Sequence, residues 1–361
     1  MYTKIGFIGL GLIGGSIAKT IKRIYEDTKI IALNHSSDSI RLAYNEGIID
    51  NEGAFPIENM KDCDLIFLCA PVSINIDYLD TLKQIINPDC ILTDVGSVKG
   101  EMEEAVKECG LEKQFIGGHP MCGSELIGYQ NAKDRLLENA YYILTNNCRV
   151  SKESYLKLKE FVKSLGAIPI EMTVDNHDFV TGGVSHVPHI IASSLVNFVM
   201  NNDKNSNMKT VAAGGFKDIT RIASSSPIMW QNICLTNKDK ILELLDKYEI
   251  ELDKFKTAIK SSDQKEIIEL FADAKEYRDS ITTGKGKMYK VYEFYCDLAD
   301  EAGSIATIAT MLAANQLSIK NIGIINNREF TNGVLRIEMY DEDSLEKAIE
   351  ILARNHYEIH R

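Results

Sequence analysis

The sequence predicts an α/β protein in three parts. Residues 1–172 form a mostly parallel, doubly wound sheet, residues 173–283 an all-helical segment, and residues 289–361 a small ferredoxin-like β-α-β-β-α-β domain. Three observations predict this. Short apolar stretches alternate with amphipathic ones through the first part. Strand character then almost vanishes from Thr173 to Ser280. The alternation returns after Thr282-Thr283-Gly284-Lys285-Gly286-Lys287, which reads as a linker.

Composition sets the broad class. The 361 residues are 45% apolar and 25% charged, as in a globular protein with room for two or three domains. A formal net charge of -12 argues against nucleic acid or an anionic membrane as the main partner, while leaving room for a local basic pocket. The eight cysteines (63, 69, 90, 109, 122, 148, 234, 296) include no CxxC pair and no metal-ligand spacing. The expectation is reduced thiols in a cytoplasm. Residues 5–18 are nearly all apolar after Lys4, as in a secretory leader, but five glycines interrupt them where a strand, a turn and a helix would meet. No other run is expected to approach a membrane-spanning length, so no membrane partner is expected.

In order, strands are predicted at 4–8, 30–33, 65–69, 91–94, 115–117, 142–144 and 168–171, with helices between most of them, for example 154–165. Gly9-Leu10-Gly11-Leu12-Ile13-Gly14 follows the first strand and opens a helix. This GxGxxG, in that setting, predicts a Rossmann-type dinucleotide site. Gly9 makes the tight turn, Gly11 admits the pyrophosphate, Gly14 lets helix approach strand, and Leu12 and Ile13 complete the cofactor loop. The second strand ends at Asn34, where an acidic residue would meet the adenosine ribose. No arginine stands close by to hold a 2′-phosphate, so NAD is favoured and NADP stays open.

Candidate chemistry begins at Gly117-Gly118-His119-Pro120-Met121-Cys122-Gly123-Ser124-Glu125. A histidine between two glycines and a proline is expected to project from a turn, with the glycines allowing close ligand approach. Beside a nicotinamide, such a base would take a hydroxyl proton as hydride leaves. Ser97, after the fourth strand, is expected to orient His119, to cap a helix starting at Val98, or both. His186 and His189 share a helix face at i, i+3; without a carboxylate or cysteine cluster a metal is not expected. His189 is read as a binder of an anionic substrate and His186 as structural. Arg221 interrupts an apolar stretch and suits a carboxylate, with an Asp218 salt bridge as the alternative. Trp230 is read as core.

In the helical part, Ile190, Ser194, Leu195 and Phe198 recur at helix spacing, as do Ile241, Leu244, Leu245, Tyr248 and Leu252. Wide apolar faces over such a length are often subunit interfaces. The last part reads as a strand at 289–295, a helix at 304–315, strands at 319–326 and 333–340, a helix at 344–356 and a short terminal strand.

Taken together, GxGxxG, Asp94-Val95-Gly96-Ser97-Val98-Lys99-Gly100, the His119 segment, Ser185-His186-Val187-Pro188-His189 and Phe216-Lys217-Asp218-Ile219-Thr220-Arg221-Ile222-Ala223 resemble the prephenate dehydrogenase family. The whole last part, residues 289–361, resembles an ACT regulatory domain, on Asp297, Gly303, the amphipathic helix after it and residues 315–322. The resemblance implies oxidative decarboxylation of prephenate with NAD. It also implies His119 and Ser97 as catalytic residues, and Arg221, His189 and Glu125 as substrate contacts. It further implies a homodimer through the helical dimerisation domain, and inhibition by tyrosine at an ACT domain around Asp297, Gly303 and Asn321. The rivals are an arogenate dehydrogenase and, from another class, a non-catalytic sensor of NAD and an amino acid. Dehydrogenases that use a catalytic lysine fit the two histidine segments poorly.

Overall fold

A computed structural model of the chain describes residues 2–123, 126–146, 149–281, 292–298, 301–325 and 333–360. Seven strands build the first sheet: β1 (Lys4–Ile8), β2 (Lys29–Leu33), β3 (Leu65–Leu68), β4 (Ile91–Asp94), β5 (Phe115–Pro120), β6 (Tyr141–Thr145) and β7 (Ile168–Met172). Their order is β2-β1-β3-β4-β5-β6-β7. Neighbours from β2 to β5 are parallel, β6 runs antiparallel to β5, and β7 is parallel to β6.

A sheet covered on both faces needs strands that are apolar throughout, and β3 reads Leu-Ile-Phe-Leu with every residue buried. Alternation along β1 sends Ile5 and Phe7 into one core with Ile17, Ile21 and Leu158. Ile8 enters the other core, with Ile66, Leu82 and Val106. Phe7 stacks on Phe67 at 5.1 Å between ring centroids. Each such fully buried side chain contributes roughly 1.5–3 kcal/mol.

Two compact units divide the chain at Met1–Leu252 and Asp253–Arg361. In the first, helices Val174–Thr181 and Val187–Asn202 run on from one another through a π-helical turn, Gly182–His186. Helices Gly214–Thr220 and Pro227–Thr236 follow, and the long helix Lys238–Ser261 begins in this unit and runs past its boundary at Leu252. At Gly182 a Cβ would lie 2.7 Å from Leu244 Cδ1, so the glycine lets two helices approach closely. Phe198, Met200, Ile228 and Leu235 stand exposed on these helices, and Val211 on the short helix Asn207–Val211.

The continuous helical stretch Val174–Asn202 is long and apolar enough to cross a bilayer, with a mean hydropathy of 1.2 over its most apolar window. The sequence reading expected no such run beyond residue 18. His177, Asp178, His186 and His189 break the apolar pattern along it and obscure its length.

The second unit carries a four-stranded antiparallel sheet. Its strands are β8 (Tyr292–Leu298), β9 (Ile319–Ile325), β10 (Gly333–Met339) and β11 (Ile359–His360), in the order β11-β8-β10-β9. Helices Ser304–Ala314 and Glu342–Arg354 complete the β-α-β-β-α-β order read from the sequence. Phe294 faces Ile337 and Cys296 faces Leu335 across β8 and β10, and all four are buried with Ile308, Leu312 and Leu352. Asp297 lies on β8, its Oδ1 3.1 Å from His360 Nε2; Gly303 caps the helix Ser304–Ala314 with φ +94°; Asn321 on β9 pairs with Glu338 of β10. The expected linker at 282–287 and the start of the strand expected at 289–295 lie outside the described residues.

Candidate active site

The glycine turn is built as its spacing requires. Gly9 has φ +93°, a left-handed conformation that favours glycine, and a Cβ there would lie 2.5 Å from Ala70 N. At Gly14 a Cβ would sit 2.5 Å from the Gly9 carbonyl oxygen, so this glycine sets the distance between helix and strand. Around Gly11 a Cβ would meet nothing within 4 Å. Gly11 caps the helix Leu12–Ile24 without any side-chain hydrogen bond. Free backbone N–H groups at a helix start, beside open space, fit a pyrophosphate. Asn34 clamps this turn: its Oδ1 accepts from Leu10 N at 3.0 Å, and its Nδ2 donates to Ser36 O at 3.3 Å.

Next along the sheet, Asp94 at the end of β4 and Lys99 form a fully buried ion pair. Lys99 Nζ also donates to Gly118 O at 2.8 Å, while Gly118 N donates to Asp94 Oδ1 at 3.0 Å. The pair therefore grips β5 at the residue before His119. A buried pair that loses one partner costs about 3–5 kcal/mol. Lys99→Met should accordingly lower the denaturation midpoint sharply, as read by thermal or urea unfolding; an unchanged midpoint would mean that Asp94 finds another partner.

His119 is not in a turn, as its glycines and proline had implied. It lies on β5, paired with Ile143 of β6. The flanking glycines serve packing instead of ligand approach. At Gly118 a Cβ would lie 2.6 Å from Asp94 O, and at Gly117 it would collide with Thr145 Oγ1. The half-buried imidazole is oriented from the helical segment: its Nδ1 is 2.9 Å from His177 Nε2, and His177 Nδ1 is 2.7 Å from Asp178 Oδ1.

The protons in this chain follow from its end. An ionised carboxylate only accepts, so His177 Nδ1 carries hydrogen, and in the tautomer whose single hydrogen sits there Nε2 accepts. His119 Nδ1 must then donate, leaving its Nε2 with a free lone pair. Burial alone would raise Asp178, but hydrogen bonds from His177, Lys99 N and Gly100 N hold it below the usual carboxylate range. The last two, at 2.8 Å each, also place this carboxylate at the start of the helix Gly100–Cys109, where negative charge is favoured. Burial, followed by His177, Lys99 and His186, pushes His119 well below the ordinary histidine range. The imidazole is therefore a neutral base at physiological pH.

Other expected residues are only partly where the sequence put them. Ser97 is half-buried in the bend after β4. It does not cap the following helix, which begins at Gly100 with Lys99 as its cap residue, and the partner of His119 Nδ1 is His177. His189 is half-buried and stacks on Trp230, ring centroids 3.9 Å apart and planes 25° apart, so Trp230 is a platform and not simply core. Arg221 is exposed at the start of the short turn Arg221–Ser224; burial holds His189 below the ordinary histidine value, a backbone hydrogen bond at Ile222 opposes this, and the charge of Arg221 adds to the lowering. Asp218 and Lys217 are exposed too. Glu125 lies outside the described residues. The sequence reading missed His177 and Asp178; the only available signal was a His-Asp pair on the helical stretch that also carries His186 and His189.

A glycine-turn dinucleotide fold with an oriented neutral imidazole on the strand leading away from it defines a nicotinamide-dependent dehydrogenase. Comparison with known proteins narrows the class. Residues 17–171 match the model for the prephenate dehydrogenase nucleotide-binding domain, and residues 173–273 match that for the prephenate dehydrogenase dimerization domain. Prephenate dehydrogenase of Bacillus subtilis (strain 168) is 40% identical over 97% of this chain and 96% of its own length. That of Lactococcus lactis subsp. cremoris (strain MG1363) is 36% identical, covering 97% and 98%. Among solved structures, prephenate dehydrogenase from A. aeolicus, in complex with hydroxyphenyl propionate and NAD+, superposes with a TM-score of 0.73 at 33% identity, over 77% of this chain and 98% of that one. The chain belongs to the prephenate dehydrogenase family.

Proposed function

We propose that the protein oxidises prephenate with NAD, releasing CO2 and 4-hydroxyphenylpyruvate, and that His119 is the base. The observation that carries this reading is the His119–His177–Asp178 chain, which leaves His119 Nε2 unprotonated at the dinucleotide-binding sheet. The ring hydroxyl gives its proton to Nε2 while hydride leaves the same carbon. The bond from the ring to its carboxylate then breaks, and that electron pair completes the aromatic ring. The proton returns to the phenolate oxygen, so the step needs no net proton. NAD, when bound, supplies the hydride acceptor. The chain's own work is to orient the hydroxyl, hold the substrate's carboxylates and keep the base neutral.

Arg221 and His189 are the proposed carboxylate contacts, with Glu125 beside them and Ser97 at the hydroxyl. Arg221→Ala should act mainly on KM for prephenate, roughly tenfold or more for a lost charged hydrogen bond. An unchanged KM would make Arg221 structural. NAD is favoured over NADP because Asn34 offers no cation, and Arg41 on the next helix is already paired with Asp38 at 2.9 Å.

The exposed apolar side chains of the helical segment fit a homodimer, with a second copy covering them. The C-terminal unit is read as an ACT domain that binds tyrosine near Asp297, Gly303 and Asn321. Absorbance at 340 nm tests the whole reading, with prephenate or arogenate, NAD or NADP, and tyrosine present or absent. NADH formed from prephenate and suppressed by tyrosine is the expected result. Activity with arogenate alone would correct the substrate, and silence in every pairing would favour a sensor.

A further inference from the structure

The cofactor crevice has two banks, and only one of them carries the glycine turn. Chain order in the sheet runs outward from β1 to β2, then resumes on the other side of β1 at β3. Both β2 and β3 are parallel to β1, so the crevice where the order reverses opens between the carboxyl ends of β1 and β3. The β1 bank is Gly9 and the turn after it. The β3 bank is Leu68-Cys69-Ala70-Pro71. These banks touch. A Cβ at Gly9 would lie 2.5 Å from Ala70 N and 2.6 Å from the Cys69 carbonyl carbon, and one at Gly14 would lie 3.0 Å from Cys69 Cβ. A shift of the β3 bank would therefore be felt at both glycines that shape the turn.

One side chain holds that bank in place. Asn75, on the short helix Val72–Asp77, is only 1% exposed. Its Oδ1 accepts from Ala70 N at 3.2 Å, and its Nδ2 donates to Leu68 O at 3.2 Å and to Ala70 O at 2.8 Å. One N–H and two carbonyls as partners fix which way the amide points. A carboxylate of the same shape could accept but not donate, and an isobutyl group could do neither. The backbone of the β3 bank thus owes three hydrogen bonds to a single buried carboxamide.

We propose that Asn75 is a positioning residue for NAD. Its amide holds the Leu68–Pro71 backbone as the second bank of the crevice, and the bound dinucleotide rests against that backbone opposite the Gly9 turn. Asn75 itself stays behind the bank and acts through it. The role extends the cofactor site beyond GxGxxG and Asn34 to a residue outside any motif, and it does not depend on the substrate.

NAD binding to the full-length protein, measured by titration calorimetry without substrate, tests this. Asn75→Leu removes all three hydrogen bonds at similar size. Asn75→Asp keeps the acceptor, loses both donors and adds negative charge near a dinucleotide that is itself an anion. Each should raise Kd for NAD by about tenfold or more, the scale set by buried groups left without their hydrogen bonds, with Asn75→Asp the more severe. KM for NAD should rise in step, while KM for prephenate at saturating NAD holds. Variants that unfold at lower temperature yet bind NAD like the parent would reduce Asn75 to packing and overturn the proposal. Should neither variant fold, a crystal structure of the parent protein with NAD takes their place. A dinucleotide lying against residues 69–71, with the Asn75 hydrogen bonds intact, is expected; one clear of that backbone would overturn the proposal. Weakened NAD binding in the variants of a protein that leaves prephenate untouched would uphold this role and reject the proposed reaction.

Discussion

Replacing His119 with Asn is expected to lower prephenate turnover by about 10²–10⁴-fold, the usual range for a lost general base, and to leave NAD affinity intact. The expectation follows from placement. His119 is held on β5 by the buried Asp94–Lys99 pair, away from the glycine turn that would hold the pyrophosphate. Steady-state kinetics with a separate NAD titration would check it. Equal losses in NAD binding and turnover would mean that the substitution damages the sheet; an unaffected rate would remove His119 from the chemistry.

The second large effect is expected at His177, a positioning residue that acts through the His119 imidazole. His177→Ala should lower kcat by about 10²-fold, the lower end of that range, because His119 Nδ1–H loses its acceptor and the imidazole loses the contact that orients it. The pH profile separates this role from a merely structural one. Burial does most to disfavour protonation of His119 and His177 comes next, so removing the His177 ring eases both. The pKa of His119 should therefore rise, and the acid limb of kcat/KM should move to higher pH. His177→Gln, whose carbonyl oxygen can accept from Nδ1, should recover part of the loss. Reduced activity with an unmoved acid limb would reduce His177 to packing.

Much of this was legible in the residues. Strand positions followed from short apolar runs, and the glycine turn from spacing whose backbone demands appear at Gly9 and Gly14. What was not legible depended on contacts between distant segments. Gly117 and Gly118 look like ligand-facing glycines in sequence, yet the constraint comes from Thr145 and Asp94, known to be close only once β4, β5 and β6 are paired. Ser97 resembles a helix cap, but the carboxylate of Asp178 takes that place from 78 and 79 positions away, measured from Gly100 and Lys99. His177 carries no local motif, and its role exists only where the helical segment meets β5. Trp230 could not be told from core by composition, because the distinction lies in its stacking on His189.

The most direct test of the account is the pH dependence of kcat/KM for prephenate at saturating NAD. A neutral His119 held by His177 and Asp178 predicts an acid limb below the ordinary histidine value of about 6.5, and its absence from the residual activity of His119→Asn. A limb at or above that value, or one that persists in His119→Asn, would contradict the assignment of His119 as the base.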